Sequence, residues 1–267
     1  MNNTIPWDLR LAHLGHSHIQ LEWMLGRIHF DPVISPQDGD IVVLLWNWPD
    51  RLWATAQAIQ KGVKIRVVAC RKALVWLRQF GSFESHLHTA KLDGIEISVH
   101  PYEGVSAFSL RDNLRKVRAV IQKPLAVARR LRKKADLPDF APHIAHLRFP
   151  SGAQFLHLNL SLHKATSASW KNDIMNRYEQ VDWLLVGCDH EHHDGLIEHL
   201  KAFQAKKILL TDLIGDARRE IGLPSHWLTP LVDQALEQEL EVYVFAPHAS
   251  YRFDGASLME PSPTEID

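Results

Sequence analysis

The sequence predicts an α/β protein of two similar halves, each a β-α-β unit extended by antiparallel strands. Three observations carry this. The apolar run IVVLL (41–45) is followed by a helical stretch and then by IRVVAC (65–70). A second run, WLLVG (183–187), is followed by GLIEHLKAF and then by KILLTD (207–212). Alternating segments such as HIQLEW and GIEISVH accompany the first unit, and FLHLNLSLH precedes the second. Uniformly apolar strands are covered on both faces, whereas alternating strands bury one.

Along the chain, HIQLEW puts Ile19, Leu21 and Trp23 on one face, and GRIHFDP puts Ile28 with Phe30 after a turn at Gly26. Pro49 suits the first turn of a helix, Asp50 its positive end and Gly62 its stop. Residues 72–80 read as a short helix and GIEISVH (94–100) as a half-buried strand. The stretch 111–134 carries ten Lys or Arg and one acidic residue. Its Leu114, Val117, Ile121, Leu125, Ala128 and Leu131 recur at nearly helical spacing, so a basic amphipathic helix is expected, interrupted at Pro124 and inserted over about 108–135.

HLRF and FLHLNLSLH open the second half. In the latter, Leu156, Leu158, Leu160 and Leu162 share one face, and His157, Asn159, Ser161 and His163 share the other. His157 and His163 could line one cleft, although such residues are more often hydrogen-bonded at the surface. EVYVFAP (241–247) is a late strand, and the tail EPSPTEID is expected to fray. The organisation implied is one domain over 1–267, with halves of about 1–105 and 145–255.

Of the 267 residues 46% are apolar and 23% charged, enough for a core. A net charge of −1 makes the surface as a whole neither polyanion nor polycation, so affinity for nucleic acid or membrane must come from a local patch. The apolar runs are strand-sized and too short to span a bilayer. Cys70 and Cys188 are too few for a disulfide framework, and MNNTIPWDLR lacks the basic-then-apolar pattern of a signal peptide. A cytoplasmic protein is expected.

LAHLGHSHIQLEW followed by GRIHFDPVISP resembles the opening hairpin of the metallo-β-lactamase superfamily, in its branch of ascorbate-6-phosphate lactonase-like metal-dependent hydrolases. The resemblance implies a four-layer αββα sandwich and a dinuclear metal centre in an HxHxDH loop. Carried over residue by residue, Trp46 and Trp48 stand at the first two histidines, Asp50 at the aspartate and Arg51 at the last histidine. Glu103 is nearest to the next histidine, Ser161 to the bridging aspartate and Asp212 to the final histidine. Indole offers no usable lone pair and a guanidinium only donates, whereas zinc needs three or four N, S or O ligands from the protein. A degenerate metal motif is therefore expected.

Trp46 and Trp48 can pack over the end of a sheet or stack a ligand. Arg51 can pair with Asp50 or bind an anionic ligand where the metal would sit. The segment GCDHEHHDG (187–195) repeats the altered motif, with Cys188, His190, His192 and His193 in its ligand register. It could hold one divalent ion, zinc or manganese, through His190, His192, His193 and Asp212. Asp50 or Glu103 would then orient or deprotonate a bound water. The plainer reading is a solvated loop that opens a helix, with Asp194 as its N-cap.

Three functions follow. The favoured one is a non-catalytic binding or assembly module with no cofactor. The second is a metal-dependent hydrolase of phosphodiesterase or lactonase type with a relocated single-metal site around 188–194. The third is metal-free recognition of an acidic protein, an anionic ligand or nucleic acid through Arg51 and Arg111–Lys134.

Overall fold

The computed structural model describes residues 9–15, 17–102, 136–162, 166–178, 180–188, 195–213, 215, 219, 228–253, 258 and 259. The expected basic helix, Glu103, His190, His192, His193 and the tail EPSPTEID lie outside the described residues.

The first sheet has eight strands. β1 (Leu9–His13), β2 (Ile19–Trp23) and β3 (Gly26–Phe30) form an antiparallel meander. β3, β4 (Ile41–Val43), β5 (Arg66–Ala69) and β6 (Glu84–Leu87) run parallel. Helix α1 (Pro49–Gln60) crosses from β4 to β5, and α2 (Arg71–Leu77) from β5 to β6.

The second sheet has seven strands. β7 (Thr89–Leu92), β8 (Ile95–Pro101), β9 (His143–Arg148) and β10 (Gln154–Asn159) are antiparallel. β10, β11 (Trp183–Gly187), β12 (Lys207–Thr211) and β13 (Val242–Val244) run parallel. Their crossovers contain α3 (Ala168–Arg177), α4 (Leu196–Ala202) and α5 (Thr229–Glu237). The chain then returns to the first sheet, where β14 (Ser250–Phe253) pairs with β1 and with β15 (Leu258–Met259).

Three apolar clusters define the layers. Phe30, Val43, Ile97, Leu147, Phe155, Leu185 and Leu209 fill the space between the sheets. Val42, Leu44 and Val67 face outward onto Leu52, Ala56 and Leu74 of the first two helices. Leu156, Leu184 and Leu210 face outward onto Ile174, Leu200 and Leu231 of the other three. The result is the expected αββα sandwich. IVVLL is uniformly apolar because Val43 enters one core and Val42 the other, as a strand sandwiched on both faces requires.

SHLHTAK spans the crossing between sheets, where β6 ends one edge and β7 begins the other. On the polar face of FLHLNLSLH, His157, Asn159 and Ser161 are buried, so His157 is not a surface residue. Alternation marks two different faces, but in a four-layer sandwich both are covered, so polarity there signals a buried polar layer rather than solvent. No described helix is long and apolar enough to cross a membrane.

Candidate functional site: a buried polar layer at the sandwich rim

β3 ends in Asp31, whose backbone adopts the left-handed conformation with φ 48°. Its amide donates to Val43 O at 3.0 Å, which keeps the aspartate beside the end of β4. Carboxylate atom Oδ1 accepts the N–H groups of Leu45 (2.8 Å) and Trp46 (3.1 Å), fixing the chain as it leaves β4. The other oxygen, Oδ2, lies 3.5 Å from Nη1 of Arg51. Pro49 starts α1, so Arg51 falls in the first helical turn. Its Nη2 donates to the Ser17 hydroxyl.

Arg51 is only 1% exposed. The half-buried rings of Trp46 and Trp48 meet edge to face at 5.6 Å, and each centroid lies 5.5 Å from Arg51 Cζ. Carboxylate, hydroxyl and two indoles thus enclose one guanidinium, with cation–π attraction replacing part of its lost hydration.

A second chain of bonds runs away from this pair. Val33 N–H donates to His18 Nδ1 at 3.4 Å, so Nε2 carries the His18 proton and donates to His29 Nδ1 at 2.9 Å. His29 Nε2 then donates to Asp40 Oδ2 at 2.9 Å, and Arg27 Nε donates to Asp40 Oδ1 at 3.0 Å. Burial would raise the Asp40 carboxyl, but the bonds from His29 and the Gln37 amide, with the Arg27 charge, hold it below the ordinary range.

The second sheet completes the layer. His157 packs on Phe30 with ring centroids 5.4 Å apart, and its Nδ1 accepts the Asn159 N–H at 3.0 Å. Burial, aided by the charge of Arg51, pushes His157 down to about 3. Burial also takes His18 to about 3, helped by His29, His13 and Arg51. Both imidazoles are therefore neutral at physiological pH. Asp31 is pushed up by burial, against the opposing pull of Arg51 and its two amide donors.

Backbone contacts show that the two halves meet here. His143 N donates to Leu45 O (2.8 Å), and Asn159 Nδ2 to His143 O (3.5 Å). At Gly187 a Cβ would stand 2.7 Å from Asn159 O and 2.5 Å from Leu213, so this close approach needs glycine. Cys188 N donates to Thr211 O at 2.8 Å. The roots of segments 46–51 and 188–194 therefore share one rim.

Of the expected site residues, Arg51, Trp46 and Trp48 come together, but around Asp31. A ligand reaching for Arg51 would have to displace that pair. Asp50 is half-buried in the first turn of α1. Asp212 is half-buried just past β12, its carboxylate against Gly215. Cys188 packs in the outer apolar cluster, its Sγ 3.8 Å from Val186 O. Asp31 was legible from the Asp-Pro turn of the resemblance. His18 and His29 had no signal beyond their place in the opening hairpin, and Asp40, just before β4, had none.

The fold that the opening hairpin resembles implies a dinuclear metal centre, and among the described residues the donors do not fit one. Indole, indole and guanidinium stand in the loop, and among the described residues no three His, Cys, Asp or Glu side chains converge to hold an ion.

No protein-family model matches the sequence, and no curated protein does. Solved structures do match. Igni18, a metallo hydrolase from the archaeon Ignicoccus hospitalis, aligns over 92% of this chain and 98% of its own, with TM-score 0.60 and 16% identity. The metallo-β-lactamase fold protein YhfI from Bacillus subtilis aligns over 92% and 100%, with TM-score 0.57 and 8% identity. This chain has the metallo-β-lactamase fold.

Proposed function

We propose that this chain is a cytoplasmic, non-catalytic binding or assembly module, descended from a metal-dependent hydrolase of the ascorbate-6-phosphate lactonase-like kind. One observation carries the reading: the loop that should present metal ligands presents Trp46, Trp48 and Arg51, and Arg51 is buried against Asp31. Trp46, Trp48 and Arg51 have no lone pair to give a metal, so these three side chains could not hold an ion that activates water. The partner class suggested by composition is anionic, because Arg111–Lys134 carries ten Lys or Arg.

The test is hydrolysis of phosphodiester and lactone substrates by the full chain, with zinc or manganese added and then removed by chelator. The module reading expects no chelator-sensitive turnover. Turnover that a chelator abolishes, and that is lost in His190→Ala/His192→Ala, would replace it with the relocated single-metal hydrolase.

A further inference from the structure

We propose that the Arg51 guanidinium is the resident cation of this rim, a charge belonging to the chain itself that takes over the structural duty of a bound ion. Asp31 accepts two backbone amides through one oxygen and faces the Arg51 cation with the other. A carboxylate so placed is costly unless a positive charge is buried with it. Arg51 supplies that charge from the first turn of α1.

Three features mark the guanidinium as built into the layer rather than waiting for a ligand. Its terminal nitrogens face Asp31 and Ser17. Trp46 and Trp48 lie at equal distance from Cζ. The surrounding His18 and His157 are buried and accept backbone N–H groups through Nδ1, as neutral imidazoles do. Among the described residues, the surroundings of Arg51 thus combine the Asp31 carboxylate with the neutral imidazoles of His18 and His157. A divalent ion inserted beside Arg51 would meet like charge in a medium that screens it poorly. The duty is mechanical: the pair clamps the end of β3 to the exit of β4 and to the start of α1.

This inference concerns folding, so it stands or falls independently of whether any hydrolysis is detected. The experiment is thermal unfolding of the full chain, with and without chelator and with added zinc. The variants are wild type, Arg51→Lys, Arg51→Met, and Arg51→Met combined with Asp31→Asn. The wild-type Tm should not respond to chelator or zinc. Arg51→Met should lower Tm by roughly 6–20 °C, Arg51→Lys by less, and the double variant should recover part of the loss because the stranded carboxylate is gone. If Arg51→Met does not fold, the comparison of Arg51→Lys and the double variant with wild type gives the same reading. Arg51→Met as stable as wild type, a double variant no better than the single one, or a wild-type Tm that falls with chelator and returns with zinc would each overturn the proposal.

Discussion

Arg51 and Asp31 are twenty residues apart in sequence, and their side chains meet 3.5 Å apart, both almost fully shielded from solvent. The carboxylate does two jobs at once, holding the Leu45 and Trp46 amides with one oxygen and the guanidinium with the other.

The two jobs can be separated by substitution. Asp31→Asn keeps an acceptor for the amides but strands the guanidinium, and should cost about 3–5 kcal/mol. Asp31→Ala also strands two buried N–H groups and should cost about 2 kcal/mol more. Urea denaturation of both variants measures the difference. Equal losses would mean the amide bonds contribute nothing.

The indoles should matter less than the ion pair. Trp46→Leu and Trp48→Leu keep apolar bulk over the rim and remove the ring face, for a loss of about 1 kcal/mol each. Combined with Arg51→Met, either change should cost nearly nothing further. Additive losses in that double-mutant cycle would show that ring and cation are not coupled.

Stability should decline in mild acid. His18 and His157 are held at about 3 and His143 at about 4 in the folded chain, in each case chiefly by burial, against an ordinary value of 6.5. Below 6.5 the unfolded chain binds protons at these positions and the folded chain does not. Their contribution is therefore intact above about 6.5 and is lost as pH falls toward 3–4. Each histidine contributes about 2 kcal/mol of that loss between pH 6.5 and 5. Asp31, raised by burial, acts in the opposite sense but is a single group. Urea midpoints at pH 7, 6 and 5 check this, and a flat profile would contradict it.

The hairpin relay gives a further prediction. Asp40→Asn removes the charged acceptor for His29 and Arg27, and should cost about 1.5–3 kcal/mol. It should also make unfolding in acid start nearer neutral pH, because Asp40 raises His18 and its removal pushes that buried imidazole further below its ordinary value. A variant with an unchanged acid transition would show that the chain of bonds ends at His29.

Much of the fold was legible. The two apolar runs became β4 and β11, the central parallel strands, and Pro49 and Gly62 bracketed the first helix as their backbone preferences require. The β6–β7 crossing escaped because its residues are polar and half-exposed at sheet edges, where no periodicity is enforced. The site was legible only in part. Trp46, Trp48 and Arg51 were identified by what they cannot ligate, but Asp31 as a partner of Arg51 was not, because the two meet across twenty residues and no spacing in the sequence marks the pair. His157 is buried where a surface position was the plainer reading, since alternation alone cannot tell solvent from a polar layer between two sheets.

Metal stoichiometry in the full chain, purified without a histidine tag and dialysed after exposure to zinc and manganese, tests the central claim most directly. A rim whose positive charge is already supplied by Arg51 should retain far less than one ion per chain, with no difference between wild type and Arg51→Lys. Retention of one or more ions per chain, tightly enough to survive dialysis and reduced by Trp46, Trp48 or Arg51 substitutions, would contradict it.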